Sequence, residues 1–310
     1  FANLPDDETM PADPSTGVPR DRGAGWDFAD TRDHYLARLY GLDPNRLRAD
    51  DPPAYLAYSR ATTAEVATEA FAEWRREGST CRGALVFALS DVAPGAGWGV
   101  LDHTHRPKPV FRALARAFAP VAIGITDEGV NGLHLHVTND TATPVHGDLE
   151  VFALRDGTVK VCPAARAIAL APRQQRTLPA TELLGSFFDY GYAYRFGPAE
   201  HQVVVARLRV DGEVVAEAFG FPLGRSAALY SAKVTAGTGH DASGWFLDLT
   251  TSVFAQSVHI HVPGYVPADD WFHLTSDRPR RIRLSPVPGA GNASWPTGEV
   301  RSLGGGSAVL

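Results

Sequence analysis

Apolar and polar positions follow two rhythms along this chain, and the change falls at about Pro120. Before it the spacing is helical with one exception. In "DTRDHYLARLYGL" the residues Tyr35, Leu36, Leu39 and Tyr40 share one stripe, Asp30 predicts the N-cap with Asp33 at the third helical position, and Gly41 predicts the stop. Val66, Ala70, Phe71 and Trp74 make the stripe of a second, longer helix, which places Glu65, Glu69 and Glu73 on a solvated face. The exception is "GALVFALS", residues 83–90: a continuous apolar run too short for a buried helix, which predicts a strand buried on both faces. A glycine-rich loop follows. Pro109 then opens a helix whose apolar side carries Val110, Phe111, Leu114 and Phe118, with Pro120 at its end. Helix, buried strand, loop, helix is the repeating unit of an α/β barrel or a doubly wound sheet, present here about once.

Beyond Pro120 the period is two. "GLHLHVTND" sets Leu133, Leu135 and Val137 against His134 and His136; "DLEVFALRDG" and "HQVVVARLRVDGEVVAEAFGF" follow, with Asp211-Gly212 as a hairpin turn. A second set, "LYSAKVTAG", "GWFLDLTTS", "QSVHIHV" and "RRIRLSP", starts at about Arg225. Strands at this spacing predict two immunoglobulin-like β-sandwiches in series, over 121–223 and 224–310, after the helix–strand–helix segment 1–120. The tail "LGGGSAVL" is expected to fray. The stretch "YGYAYRFG", residues 190–197, is aromatic enough for a sugar platform, but its alternating rings are expected as core or cross-strand pairs.

Composition narrows the partners. A net charge of −6 without a Lys/Arg run argues against nucleic acid and anionic membranes, and no apolar run approaches the length of a membrane span, so a neutral ligand fits better. Cys81 and Cys162 stand in stretches of different character, which predicts neither a disulfide framework nor a zinc site. The pairs His103/His105, His134/His136 and His259/His261 lack a clear third ligand and read as polar faces and a loop; no metal or other cofactor is expected. Asn139 and Asn292 fit the glycosylation acceptor pattern, which a chain of this length also meets by chance.

Side chains at the C-terminal end of a barrel strand build the active site. Ser90, Asp91 and the loop "VAPGAGWG" occupy that place: Asp91 can orient a substrate hydroxyl or a neighbouring side chain, and Trp98 can offer a flat face to the C–H side of a sugar ring. The stretch "WRREGSTCRGALVFALSDVAPGAGWGVLDHTHRPKPVFRALARAFAPV" resembles the last barrel strand and helix of β-mannosidases of glycoside hydrolase family 2. The match runs through Gly83, Ala84, Leu85, Leu89, Asp91, Pro94, Trp98, Asp102, Lys108, Phe118, Ala119 and Pro120, and "DDWFHLTSDRPRRIRLSP" resembles the closing strands of the family's last sandwich.

This resemblance implies a retaining exo-glycosidase that removes terminal β-mannosyl residues from an oligosaccharide or glycoside, with residues 1–120 as the last part of its (β/α)8 barrel. Such an enzyme needs two carboxyl groups about 5–5.5 Å apart, which no pair in this chain is evidently placed to supply. "FANLPDDETM" resembles the stretch just after the family's nucleophile, so the catalytic glutamates are expected before residue 1, and none is assigned within the chain. Phe87, Asp91 and Trp98 are the residues implied to line the sugar subsite. Where the family has Trp, Gln and Asn, this chain has Phe87, Ala88 and Ser90, which removes a ring N–H and two amides. A family 2 β-galactosidase or β-glucuronidase and a non-catalytic carbohydrate-binding sandwich protein remain as alternatives; oligomeric state and compartment are not decided.

Overall fold

A computed structural model describes residues 2–6, 27–81, 83–287 and 295–310. Among the described residues the chain is predominantly β, and no helix is long and apolar enough to cross a membrane. It divides into two compact units, one made of Phe1–Val66, Val86–Ala113 and Leu229–Leu310, the other of Ala67–Leu85 and Leu114–Ala228.

The helical rhythm is realised as α1 (Phe28–Tyr40), α2 (Pro44–Asp50), α3 (Pro52–Arg75) and α4 (Pro109–Ala117). The start of α1 lies a turn before the predicted one. Asp27 is the N-cap and Asp30 sits at the third position, closing a capping box in which each carboxylate accepts from the other's backbone end. Gly41 ends the helix as predicted, in the left-handed region with φ 66°. Leu36 and Tyr40 are buried, and Tyr35 is exposed.

The second unit is built around two facing sheets. One has the order β1-β2-β5, from Val121–Asp127, Leu133–Asn139 and Gln174–Pro179; the other has β4-β3-β6-β7, from Val159–Leu170, Val145–Arg155, Val203–Val210 and Glu213–Gly220. Neighbouring strands in both run antiparallel. Alternate residues of both sheets meet in one core: Leu133, Leu135, Val137 and Leu178 face Leu149, Val151, Ala153, Val204, Ala206 and Leu208. The predicted Asp211-Gly212 turn carries positive φ at both positions, 52° and 83°, as a tight hairpin requires. The short helix α5 (Ala180–Leu184) closes one edge of this core with Ala180 and Leu183.

His136 departs from the simple alternation. The pattern predicts it on an outward polar face, yet the C-terminal turns of α3 cover that side of the sheet, with a Cβ placed on Gly124 only 3.1 Å from that of Ala72. His136 is buried, with Nε2 2.7 Å from Thr126 Oγ1 and Nδ1 2.9 Å from Thr177 Oγ1. Burial, with the Arg76 and His134 charges nearby, pushes the imidazole down to about 4. Between about pH 6.5 and 4 the unfolded chain therefore takes up a proton that the folded one refuses, so stability is complete above pH 6.5 and falls as pH drops. Urea unfolding of this unit followed from pH 7 to 4.5 should lose stability by up to about 1.4 kcal/mol per pH unit at this site. His136→Gln should flatten that part of the profile, and an unchanged slope in the variant overturns the assignment. Asn139, an apparent glycosylation acceptor, is fully buried and donates Nδ2 to Thr143 and Ala171 carbonyls, so it is a structural asparagine.

In the first unit, β8 (Val234–Asp241), β9 (Gly244–Thr251), β11 (Tyr265–Pro267) and β13 (Arg280–Pro286) form a sheet of order β11-β13-β9-β8. It faces β10 (Ala255–His261), β12 (Phe272–Leu274), β14 (Glu299–Leu303) and β15 (Ser307–Val309), of order β12-β10-β14-β15. Val234, Leu247, Leu249, Ile282 and Leu284 meet Val258, Ile260, Phe272, Leu274 and Val300 in the core. The tail does not fray as expected: Ser307, Ala308 and Val309 pair with Arg301, Val300 and Glu299, because backbone hydrogen bonds tie down a strand whose side chains give little signal.

The helices of this unit pack on that sandwich through Leu36, Tyr40, Tyr55 and Ala61 against Trp271 and Leu303. Glu65 is thereby buried rather than solvated, with Oε1 3.2 Å from His273 Nε2 and 3.4 Å from Ser257 Oγ. Glu69 and Glu73 stay exposed and pair with Arg225 and Arg76. Cys81 and Cys162 are unpaired.

Candidate sugar-binding site

The apolar run of residues 83–90 does not form the doubly buried strand that its composition predicts. It bends at Phe87 and Leu89, and the backbone hydrogen bonds of its last residues go to one neighbour: Ala88 N–H donates to Trp98 O, Val100 N–H to Ala88 O, Leu101 N–H to Leu89 O and Asp91 N–H to Leu101 O. Ser90 and Leu101 form a parallel bridge. With a single neighbour, the run leaves its apolar side chains in solvent: Leu85 and Val92 are fully exposed, and Phe87 and Leu89 are 75% and 68% exposed. The Phe87–Ala88 peptide is cis.

The loop after this run is drawn onto Asp91. Its Oδ1 accepts from Gly99 N–H at 2.7 Å, and its Oδ2 is paired with the Lys108 ammonium. Lys108 is completely buried and also donates to Asn3 O at 3.0 Å. Burial pulls the Lys108 ammonium down and the Asp91 carboxylate holds it up; burial prevails, and the lysine lies below its ordinary value. The approach is too close for side chains at two positions. A Cβ on Gly97 would sit 2.4 Å from Asp91 Oδ1, and one on Gly99 2.5 Å from Asp91 N and 2.6 Å from Leu101 O.

The extended segment 2–6 forms the other wall. Asn3 exchanges backbone hydrogen bonds with Gly97 at 2.8 and 3.2 Å, and Ala2 and Leu4 are fully buried with Ala96. Three cations hold its carbonyls: Arg32 on Ala2 O at 3.0 Å, Lys108 on Asn3 O at 3.0 Å and Arg60 on Pro5 O at 2.8 Å. Trp98 is fixed edge-on between Phe28, with centroids 5.1 Å apart, and Phe87, 5.5 Å apart.

Of the three residues expected in a sugar subsite, Phe87 and Trp98 come together as a half-open aromatic pair. Asp91 lies beneath them with both oxygens engaged, so it positions the Trp98 loop and offers no free oxygen to a ligand. Lys108, Asn3, Gly97 and Gly99 belong to the same arrangement. Spacing alone gives no signal for the Asp91–Lys108 contact, which joins residues 17 apart across a loop.

Of the His-x-His pairs, His105 Nδ1 lies 3.2 Å from Ser90 Oγ, and His259 enters a cluster with Asp6 and Asp270 whose ligand atoms all lie within 4.8 Å of one another. Those groups are already paired with one another or with neighbours, although Asp6 Oδ1 accepts no hydrogen bond among the described residues. Asp270 Oδ2 is 3.0 Å from His259 Nδ1, Trp271 Nε1 donates to Asp6 Oδ2 at 3.3 Å, and the Arg60 guanidinium stands 3.7 Å from Asp6 Oδ1, where it opposes a cation. Burial lowers His259, but the Asp270 and Asp6 carboxylates outweigh it and hold the imidazole above its usual value. The group is an ion-paired knot.

The chain superposes on a β-D-mannosidase from Dictyoglomus thermophilum with a TM-score of 0.65 and 17% identity, over 84% of this chain and 30% of that one. It superposes on the exo-chitosanase of Amycolatopsis orientalis with a TM-score of 0.62 and 11% identity, over 83% of this chain and 34% of that one. No family model matches.

In sequence it is similar to β-mannosidase B of Aspergillus niger, 27% identical over 215 residues, and to that of Emericella nidulans, 26% identical over the same length; both matches cover 63% of this chain. The chain is β-mannosidase-like, similar to glycoside hydrolases of family 2. It spans about a quarter of the length of the curated relatives it matches.

Proposed function

We propose that this chain is the C-terminal portion of a retaining exo-β-mannosidase-like enzyme. Residues 1–120 would supply the end of its (β/α)8 barrel, and 121–223 and 224–310 two immunoglobulin-like sandwiches that brace it. The observation that carries this reading is the apolar run 83–92, whose residues 88–91 are hydrogen-bonded to one neighbour only and which bears Leu85, Phe87, Leu89 and Val92 in solvent. The remaining strands and helices of a barrel would pair its bare edge and cover both faces, burying the same side chains that composition assigns to an interior. The relatives are about four times as long as the matched segment, which is ample for the rest of a barrel.

In such an enzyme the Phe87–Trp98 pair offers apolar faces to the C–H side of a mannosyl ring, and the Asp91–Lys108 pair keeps Trp98 in place. Hydrolysis proceeds through a covalent glycosyl-enzyme on carboxylates outside this chain. The 310-residue chain alone is therefore expected to leave aryl β-mannosides intact.

The test is a panel of aryl glycosides on the full-length protein. Mannoside should be preferred, and Trp98→Ala should lower kcat/KM by about tenfold or more through loss of the ring contact and its positioning of Phe87. Preference for a galactoside, glucuronide or glucosaminide overturns the sugar assignment. Hydrolysis by the isolated chain, abolished by a Glu→Gln change within it, overturns the placement of the catalytic carboxylates.

A further inference from the structure

Residues 187–197 do not pair as a strand. They form a loop of the second unit that is aromatic on both sides. Inward, Phe188 and Tyr190 pack on the sandwich core with centroids 4.7 Å apart, and the Tyr190 hydroxyl donates to Cys162 O at 2.5 Å. Outward, Phe187, Tyr194 and Phe196 are 68%, 41% and 81% exposed. These three rings touch: Phe187 meets Tyr194 edge-on at 5.4 Å, and Tyr194 lies nearly parallel to Phe196 at 5.8 Å.

The rings are held, not draped. Asp189 accepts from the Ala193 and Tyr194 N–H groups at 3.0 and 2.8 Å, Tyr192 OH donates to Gly197 O at 2.8 Å, and Tyr194 OH donates to Val130 O at 2.9 Å. Tyr192 and Arg195 both carry φ of 53°, a left-handed conformation that costs a non-glycine residue about 1 kcal/mol or more and persists only where the surroundings impose it. The fold thus keeps a strained loop whose outer rings contribute nothing to its core. Arg195 is exposed beside them and has no hydrogen bond or ion pair among the described residues.

We infer that Phe187, Tyr194 and Phe196 form a saccharide-binding platform, separate from the Phe87–Trp98 pair, that stacks the apolar faces of a neutral oligosaccharide. Two features select this occupant over a protein. The exposed parts of the three rings amount to roughly 400 Å², about half of the ~800 Å² per side that a stable protein interface needs, whereas a few pyranose rings are covered by such an area. A rigid aromatic strip also matches a ligand that is apolar on its ring faces and hydroxylated at its edges, because little ordering entropy is lost on binding. The choice of a β-linked mannan as ligand rests on the proposed function; the platform itself does not.

The experiment is affinity electrophoresis of the 310-residue chain through gels cast with soluble β-1,4-mannan, with cello-oligosaccharide-derived gels alongside. The chain should be retarded by mannan. Phe196→Ala and Phe187→Ala, both at exposed positions and expected to melt with the parent, should each weaken the retardation about fivefold, while Val215→Ala, an exposed apolar residue outside both aromatic groups, leaves it unchanged. No retardation by either glycan, or retardation that both platform variants retain, overturns the inference. A full-length protein that hydrolyses aryl β-mannosides beside a chain that ignores glycans overturns the platform alone. Retardation lost with Phe196 beside a full-length protein inactive on mannosides sustains the platform and overturns the glycosidase reading.

Discussion

Lys108→Met should lower the stability of the first unit by about 3–5 kcal/mol, because it strands the Asp91 carboxylate in a place where neither charge reaches water. The lysine side chain has no exposure, and besides Asp91 it serves Asn3 O, so its loss also frees the segment 2–6 from one of its three cationic ties. A chain of this size should show the change as a drop of about 10 °C in the first melting transition. Asp91→Asn with Lys108→Met removes both charges and should recover a substantial part of the loss, since the penalty comes from the unpaired partner and not from absence of the pair. A double variant no better than the single one would show that packing, not charge, sets the cost. Trp98 fluorescence provides a local readout: the ring sits on the loop that Asp91 holds, between Phe28 and Phe87, and should become more solvated in Lys108→Met.

Glu65→Ala should cost about 3 kcal/mol, measured by urea unfolding, and Glu65→Gln clearly less. The hydrogen bonding fixes the chemistry of this buried group. Ser257 N–H donates to His273 Nδ1 at 3.1 Å, so that nitrogen is an acceptor and the proton resides on Nε2, which faces Glu65 Oε1 at 3.2 Å. Alanine leaves both the imidazole N–H and the Ser257 hydroxyl without this oxygen in a buried site, whereas glutamine retains an acceptor. Equal losses in the two variants would assign the effect to the carboxylate's charge instead.

Both sites explain why legibility along the chain was uneven. The sandwich strands could be read because one face of each meets the core and the alternation survives in Leu133, Leu135 and Val137 or in Leu247 and Leu249. Where a helix covers the second face, as over His136, alternation predicts solvent and finds burial. Glu65 fails for the same reason, since Thr62, Thr63 and Ala64 around it are buried too and the helix there has no wet side. The tail escaped because Gly304, Gly305 and Gly306 mimic a frayed end, although the residues after them complete a sheet.

At the site, Phe87 and Trp98 were legible as aromatics flanking a strand end, and Asp91 as a group able to orient a neighbour. The partner that determines its role was not. The Lys108 contact is a product of chain path, with no local periodicity to announce it. The loop 187–197 misled in the opposite direction: its alternating aromatics suggest a pleat, but Asp189 diverts the backbone N–H groups that a ladder would use.

The arrangement around Asp91 divides the site into residues that can change and residues that cannot. Gly97 and Gly99 admit no Cβ, and Asp91 and Lys108 cannot be lost singly without an uncompensated charge. Phe87, 75% exposed and touching Trp98 by an edge, holds nothing else in place. Substitution there is nearly silent for folding and falls directly on the surface a sugar would meet. A lineage carrying this scaffold can therefore drift in what it recognises by accumulating changes at Phe87 that selection on stability does not see, while the glycines and the buried pair stay fixed as the signature of the fold.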